Sequence, residues 1–138
     1  MTTDVRSAEG RLVFVDAAGG ALSAIAAGVA RSLGFEDAGA TSGTPGPLPK
    51  EVTDALAEVG MRVPAVSPLA EVDLAGVTLI AVGDGPPQGA SERWPGLLYA
   101  PPSGAVSADD FALERMSTAR MIRDDIERRL EARRTRSA

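Results

Sequence analysis

The chain has 138 residues, of which 44% are hydrophobic and 24% charged, with a net charge of −5. That is the size and make-up of one globular domain with its own core. Cysteine and histidine are both absent, which excludes disulfides, thiol chemistry, Cys/His zinc sites, iron–sulfur clusters and His-based triads. The negative balance argues against a general nucleic-acid binder.

Residues 1–10 are polar and are expected to form a flexible N-terminus, followed by one domain over 11–134 and a tail over 135–138. Arg11-Leu12-Val13-Phe14-Val15 is a short apolar run closed by Asp16, the pattern of a buried parallel strand. Ala17-Ala18-Gly19-Gly20 forms a tight turn. Ala21 to Leu33 then carries Leu22, Ile25, Val29 and Leu33 near helical spacing, with Gly34 as its stop. Ala38 to Gly43 is a weaker strand, and Thr44-Pro45-Gly46-Pro47 a loop. Pro49 opens a helix through Val59, whose buried stripe is expected to be Val52, Leu56 and Val59, with Gly60 ending it. Met61 to Val66 reads as extended, and Ser67-Pro68-Leu69 as the start of a short helical turn ending near Ala75.

Val77 to Val82 is the strongest strand in the chain. Gly83 to Gly89 is a loop rich in Gly and Pro, and Gly96 to Tyr99 is a candidate edge strand. A final helix runs from Asp109 or Asp110 to about Arg134, with Met116, Ala119, Ile122, Ile126 and Leu130 on its apolar face. Alternating strands and helices imply an α/β parallel sheet with helices on both faces. Ligands in such folds sit at the carboxyl edge of the strands, so the Asp16–Ser23 turn is the prime candidate site.

Charge is unevenly spread. Residues 1–111 hold 6 basic and 14 acidic side chains, whereas residues 112–138 hold 8 arginines and 5 acids. The arginine-rich end suits a solvated helix C-terminus, or docking to an acidic partner. The most apolar stretch, Ala17 to Ala30, is shorter than the roughly 20 residues a membrane span needs. The N-terminus also lacks a basic region followed by an apolar core. The expectations are a cytoplasmic address, no membrane and no nucleic-acid partner.

Several segments in this order resemble one family. They are the Leu12-Val13-Phe14-Val15 strand with the Asp16–Ser23 loop, Ala40-Thr41-Ser42-Gly43-Thr44, and the Pro49–Met61 helix. Trp94-Pro95 with Leu97, Leu98 and Pro101 follows, then Phe111 and Ile122-Arg123-Asp124-Asp125-Ile126. Together they resemble low-molecular-weight protein tyrosine phosphatases and the related thioredoxin-coupled arsenate reductases, over roughly residues 11–134. The resemblance implies a single-domain three-layer α/β/α sandwich with a four-stranded parallel sheet. It also implies a phosphate loop of the form Cys-x5-Arg-Ser, covering Asp16, Ala17, Ala18, Gly19, Gly20, Ala21, Leu22 and Ser23.

In that family a thiolate attacks phosphorus or arsenic, the loop N–H groups and the helix N-terminus hold the oxyanion, and the loop arginine binds it as a fork. An aspartate before a later proline protonates the leaving group. Here the nucleophile position is Asp16, the arginine position Leu22, and the general-acid position Ala100 before Pro101; Ser23 is kept. The parent reactions are therefore expected to be absent, and no catalytic residue is confirmed. Asp16 as an aspartyl-phosphate nucleophile is disfavoured. Such enzymes need a cation, and a carboxylate about 4 Å from a phosphate costs about 4 kcal/mol at intermediate dielectric.

The expected role of Asp16 is instead a built-in anion that fills the loop and caps the helix beginning near Ala21. The alternative is a changed pocket in which Asp16 acts as acid/base or amine anchor. Ser23 and Ser42 are expected to buttress the loop. Ser42, Asp84, Trp94, Tyr99 and Ala100 are the candidate pocket rim, with Asp84 also readable as a plain turn residue and Trp94 and Tyr99 as packing residues. A dinucleotide-binding reading fails because Gly19-Gly20 does not fit G-x-G-x-x-G. The expectation is a catalytically inactive binding or regulatory module, with a protein partner or self-association, no cofactor and no metal. A repurposed enzyme or small-ligand binder is the alternative.

Overall fold

The computed structural model describes residues 11–17, 19–83, 90–94 and 108–137. In chain order the elements are β1 (Arg11–Asp16), α1 (Ala21–Ser32), β2 (Gly39–Ser42), α2 (Lys50–Ala57), β3 (Val66–Pro68), a 3-10 turn (Leu69–Glu71), β4 (Val77–Val82), β5 (Glu92–Trp94) and α3 (Ala108–Ser137).

The five strands form one sheet in the order β3-β2-β1-β4-β5, and every pairing is parallel. The chain steps from β1 outward to β2 and β3, then crosses back to the other side of β1 for β4 and β5. The strand order therefore reverses at β1, and the carboxyl end of that strand is the switch point where α/β folds place ligands. Asp16 is its last residue and lies in register with Ser42.

β1 is buried from Leu12 to Asp16, as its continuous apolar run requires of a central parallel strand. Alternate residues serve opposite faces. Leu12 and Phe14, with Ile80 and Val82 of β4, join one cluster with the buried side chains of all three helices. Val13, Val15, Leu79 and Ala81 form a second, smaller cluster on the other face, against which Leu69, Val77 and Ala90 pack.

Small side chains set the spacing on the helix side. Ala24, Ala26, Ala27, Gly28 and Ala30 of α1 are all buried. At Gly28 a β-carbon would lie 2.8 Å from the Arg62 carbonyl oxygen and 2.9 Å from a Leu56 methyl, so α2 and the segment that follows it approach closely only because the residue is glycine. The face of α3 expected from its periodicity is the one that packs: Ala119, Ile122, Ile126 and Leu130 are buried, and Met116 is half-buried.

The sheet has five strands where four were expected, because Val66–Pro68 adds a short edge strand beside β2. The opposite edge is Glu92–Trp94, earlier in the chain than the expected Gly96–Tyr99, which lies outside the described residues. Val59 is 49% exposed rather than part of the α2 stripe. The helix ends at Ala57 and the chain turns through Gly60 at φ +77°, so helical spacing no longer holds at Val59. α3 begins at Ala108 and runs on to Ser137, so residues 135–137, expected as a tail, continue the helix. Residues 1–10 lie outside the described residues.

One polar clamp joins α2 to α3. Glu58, just past α2, accepts from Arg120 Nε at 2.8 Å and Nη2 at 3.0 Å, and from Arg123 Nη1 at 2.6 Å. The same Arg123 nitrogen donates to the Ala55 carbonyl at 2.7 Å. Hydrogen bonds from Arg120 and then Arg123, with their charges, lower the Glu58 carboxyl from 4.5 to about 2. A carboxyl lowered by folding stabilises the fold above its unfolded value and loses that contribution as pH falls through its folded one. Glu58→Gln is therefore expected to lower the melting temperature at pH 6, with the gap to the parent closing between about pH 4.5 and about pH 2. Thermal unfolding of both proteins across that range is the check.

Candidate functional site

The turn between β1 and α1 is built by two consecutive glycines. Gly19 and Gly20 both have φ of +88°, a left-handed conformation that side chains adopt only under strain. Gly20 has no room for a side chain either, since a β-carbon would come within 2.9 Å of Val66. The turn aims the Gly20 and Ser23 N–H groups at one point, as an anion-binding nest does, while the Gly19 N–H turns away to Thr44.

That nest is filled by the protein itself. Asp16 is only 3% exposed. Its Oδ1 accepts the N–H of Gly20 at 3.1 Å and its Oδ2 the N–H of Ser23 at 3.0 Å. Both oxygens thus act as acceptors, the pattern of an ionised carboxylate. The Ser23 N–H belongs to the first turn of α1, where backbone donors have no partner within the helix. No acidic residue stands in that first turn, so Asp16 brings the negative charge that a helix N-terminus favours.

Neighbouring groups hold the loop in place. The Ser23 hydroxyl donates to the Gly20 carbonyl at 3.1 Å, and the Thr44 N–H donates to Ser42 Oγ at 3.3 Å. Both serines bond backbone of the two loops. The Thr44–Gly46 segment pairs with Gly19 directly: the Gly19 N–H donates to the Thr44 carbonyl at 2.8 Å, and the Gly46 N–H to the Gly19 carbonyl at 3.3 Å. The sequence marks this segment only as a loop. Its signal was its place just after β2, the parallel neighbour of β1, which brings both loops to one edge.

Asp16, Gly19, Gly20, Ser23 and Ser42 are therefore brought together. Ala17 is exposed, and Ala21 and Leu22 are half-buried at the start of α1. Leu22 packs against the helix-side core. Trp94 does not join the loop. It is 4% exposed, its ring lies 5.7 Å from Phe14 within the core, and its indole N–H donates to Glu92 at 2.9 Å. Arg129 covers that ring at 5.6 Å while also bonding Asp125. Ala18, Asp84, Tyr99 and Ala100 lie outside the described residues.

The basic end of α3 is largely neutralised by the chain's own acids. Arg128 and Arg129 pair with Asp125, Arg133 with Glu92, and Arg134 with Glu131. Burial alone would raise the Asp125 carboxyl, but hydrogen bonds from Arg128 and Arg129 outweigh it and hold it below its ordinary value. Asp124 bonds Arg123 at 3.1 Å. The two acids thus serve separate arginines rather than a shared proton. Among the described residues no group of three metal-ligating side chains forms, and no helix is long and apolar enough to cross a membrane.

No protein-family model matches this sequence, and no curated protein does. Solved structures do match. An arsenate reductase in the phosphate binding state is similar with a TM-score of 0.66 and 17% identity, over 92% of this chain and 98% of its own. An arsenate reductase in the reduced state gives 0.58 and 15%, with the same coverage. The arsenate reductase from Archaeoglobus fulgidus DSM 4304 gives 0.57 and 16%, over 87% of this chain and 98% of its own. The chain thus has the α/β fold of arsenate reductases, with the parallel sheet its sequence pattern implied; among the described residues all three helices pack on one face of that sheet, where both faces were expected to be covered.

Removing the Asp16 carboxyl leaves the Gly20 and Ser23 N–H groups buried without their acceptors. Asp16→Ala is expected to destabilise the fold by about 1–3 kcal/mol, the cost of unsatisfied buried donors together with a lost cap. Urea unfolding of the two proteins measures it.

Proposed function

We propose that this protein is a non-catalytic relative of the arsenate reductases and low-molecular-weight phosphatases. It acts as a binding or regulatory module, through a protein partner or self-association. The observation that carries this reading is the engagement of both Asp16 oxygens by the loop's own N–H groups. By the resemblance, Asp16 stands where the nucleophilic cysteine belongs, and Leu22 where the arginine fork belongs. A chain with no cysteine has no thiolate to attack phosphorus or arsenic. An incoming oxyanion would meet a carboxylate instead of a ring of free donors, and like charges at short range repel strongly.

The same observation weighs against Asp16 as acid/base or amine anchor. A general base must reach the proton it takes. The Asp16 oxygens already face backbone donors inside the fold, and the side chain is almost fully buried.

Hydrolysis of p-nitrophenyl phosphate and thioredoxin-coupled arsenate reduction should both stay at the buffer rate. Turnover by the parent protein that disappears in Asp16→Ala would refute the non-catalytic reading. Native mass spectrometry of gently purified protein tests the module reading, which predicts a discrete self-assembly or a macromolecular partner. A bound small molecule lost on Asp16→Ala would favour the repurposed pocket instead.

A further inference from the structure

Two arginines line one cleft at the other end of the sheet, away from the Asp16 loop. Arg11 opens β1 and Arg31 lies in the last turn of α1. Arg11 Nε donates to the Asp37 carbonyl at 2.7 Å, and Arg31 Nε donates to the Ala38 carbonyl at 2.7 Å. The two carbonyls are consecutive, and both arginines line one cleft. Arg11 lies over Gly39, where a β-carbon would come within 2.6 Å of its Nη2. A guanidinium has five N–H donors. Among the described residues each of these two uses one side-chain nitrogen, and neither forms an ion pair.

A cleft of about 470 Å³ opens beside them, with Gly39 and Ser67 on the sheet among its lining. Glu71 and Asp73, on the segment leading from β3 back to β4, line the same cleft. Asp73 uses one oxygen as acceptor for the Ala75 N–H at 3.0 Å. No ion pair joins the two acids to the two arginines, so cations and anions share the cleft without neutralising each other. The volume lies within the range of small-molecule sites.

We infer that this cleft binds a small zwitterion, with its carboxylate on Arg11 and Arg31 and its ammonium group toward Glu71 and Asp73. Paired guanidinium N–H donors suit a carboxylate, and the ligand's own charges then complete both halves. A phosphate would sit against two acids, and a polyamine against two arginines, so each single-sign ligand is opposed by half of the lining.

The test is a titration followed by amide NMR signals of the intact protein. The probes are glycine, 4-aminobutyrate and 6-aminohexanoate, which differ in charge separation, with butyrate, butylamine and inorganic phosphate as single-sign controls. At least one amino acid is expected to saturate shifts at Gly39 and Ser67, about tenfold tighter than any control. Arg31→Met and Glu71→Gln, both at exposed positions, should each weaken it about tenfold while keeping the amide spectrum of a folded protein. Three outcomes would overturn the inference: no saturation in the whole series by about 10 mM, butyrate or phosphate binding as tightly as the amino acids, or unchanged affinity in both variants.

Discussion

The carboxyl of Asp16, bonded to the N–H groups of Gly20 and Ser23, is the interaction on which this structure's candidate site depends. It ends the central strand, fills the turn and supplies the first helix with an acceptor. A nest of backbone donors at a helix start attracts negative charge from whatever source is nearest. In this chain the source is covalently attached, so filling the turn is an intramolecular event. The turn's donors are thereby part of the fold's own hydrogen bonding.

The rest of the molecule keeps that turn rigid. β1 is buried between β2 and β4, and its two faces feed separate apolar clusters. Gly19 is tied to Thr44 and Gly46, and Gly20 fits under Val66 only without a side chain. On the helix side the alanine-rich α1 lets α2 approach closely, and Glu58 bridges Arg120 and Arg123 of α3. Aromatic rings are few, so close approach of small side chains supplies the packing that larger ones would give elsewhere.

What the sequence made legible follows from signal strength. β1 and β4 are continuous apolar runs, and α1 and α3 have clear helical spacing, so each was placed within a residue or a few. β5 escaped because Glu92-Arg93-Trp94 offers one apolar residue in three, and its strand character comes only from pairing with β4. β3 is similar: Val66-Ser67-Pro68 is extended because it lies beside β2, where Thr41 Oγ1 donates to the Ser67 carbonyl at 2.7 Å. The contact of Asp16 with its turn is readable because a carboxylate, two glycines and a helix start follow one another within a few positions. The Thr44–Gly46 contact and the Arg11–Arg31 cleft were not, since each joins residues far apart in the chain through the sheet's parallel register. The pairing of the α3 arginines was half legible: Asp125 and Glu131 sit at helical spacing from their partners, but the Arg133–Glu92 pair depends on where β5 lies.

The most direct test of the central claim is to follow the amide signals of Gly20 and Ser23 while inorganic phosphate is added to the protein. With the Asp16 carboxyl already bonded to both N–H groups, the two signals should hold their positions while phosphate rises to about 50 mM, far above the Kd of a built anion site. A saturable shift of both signals at lower phosphate would show that the loop still takes an external oxyanion, and would contradict the account.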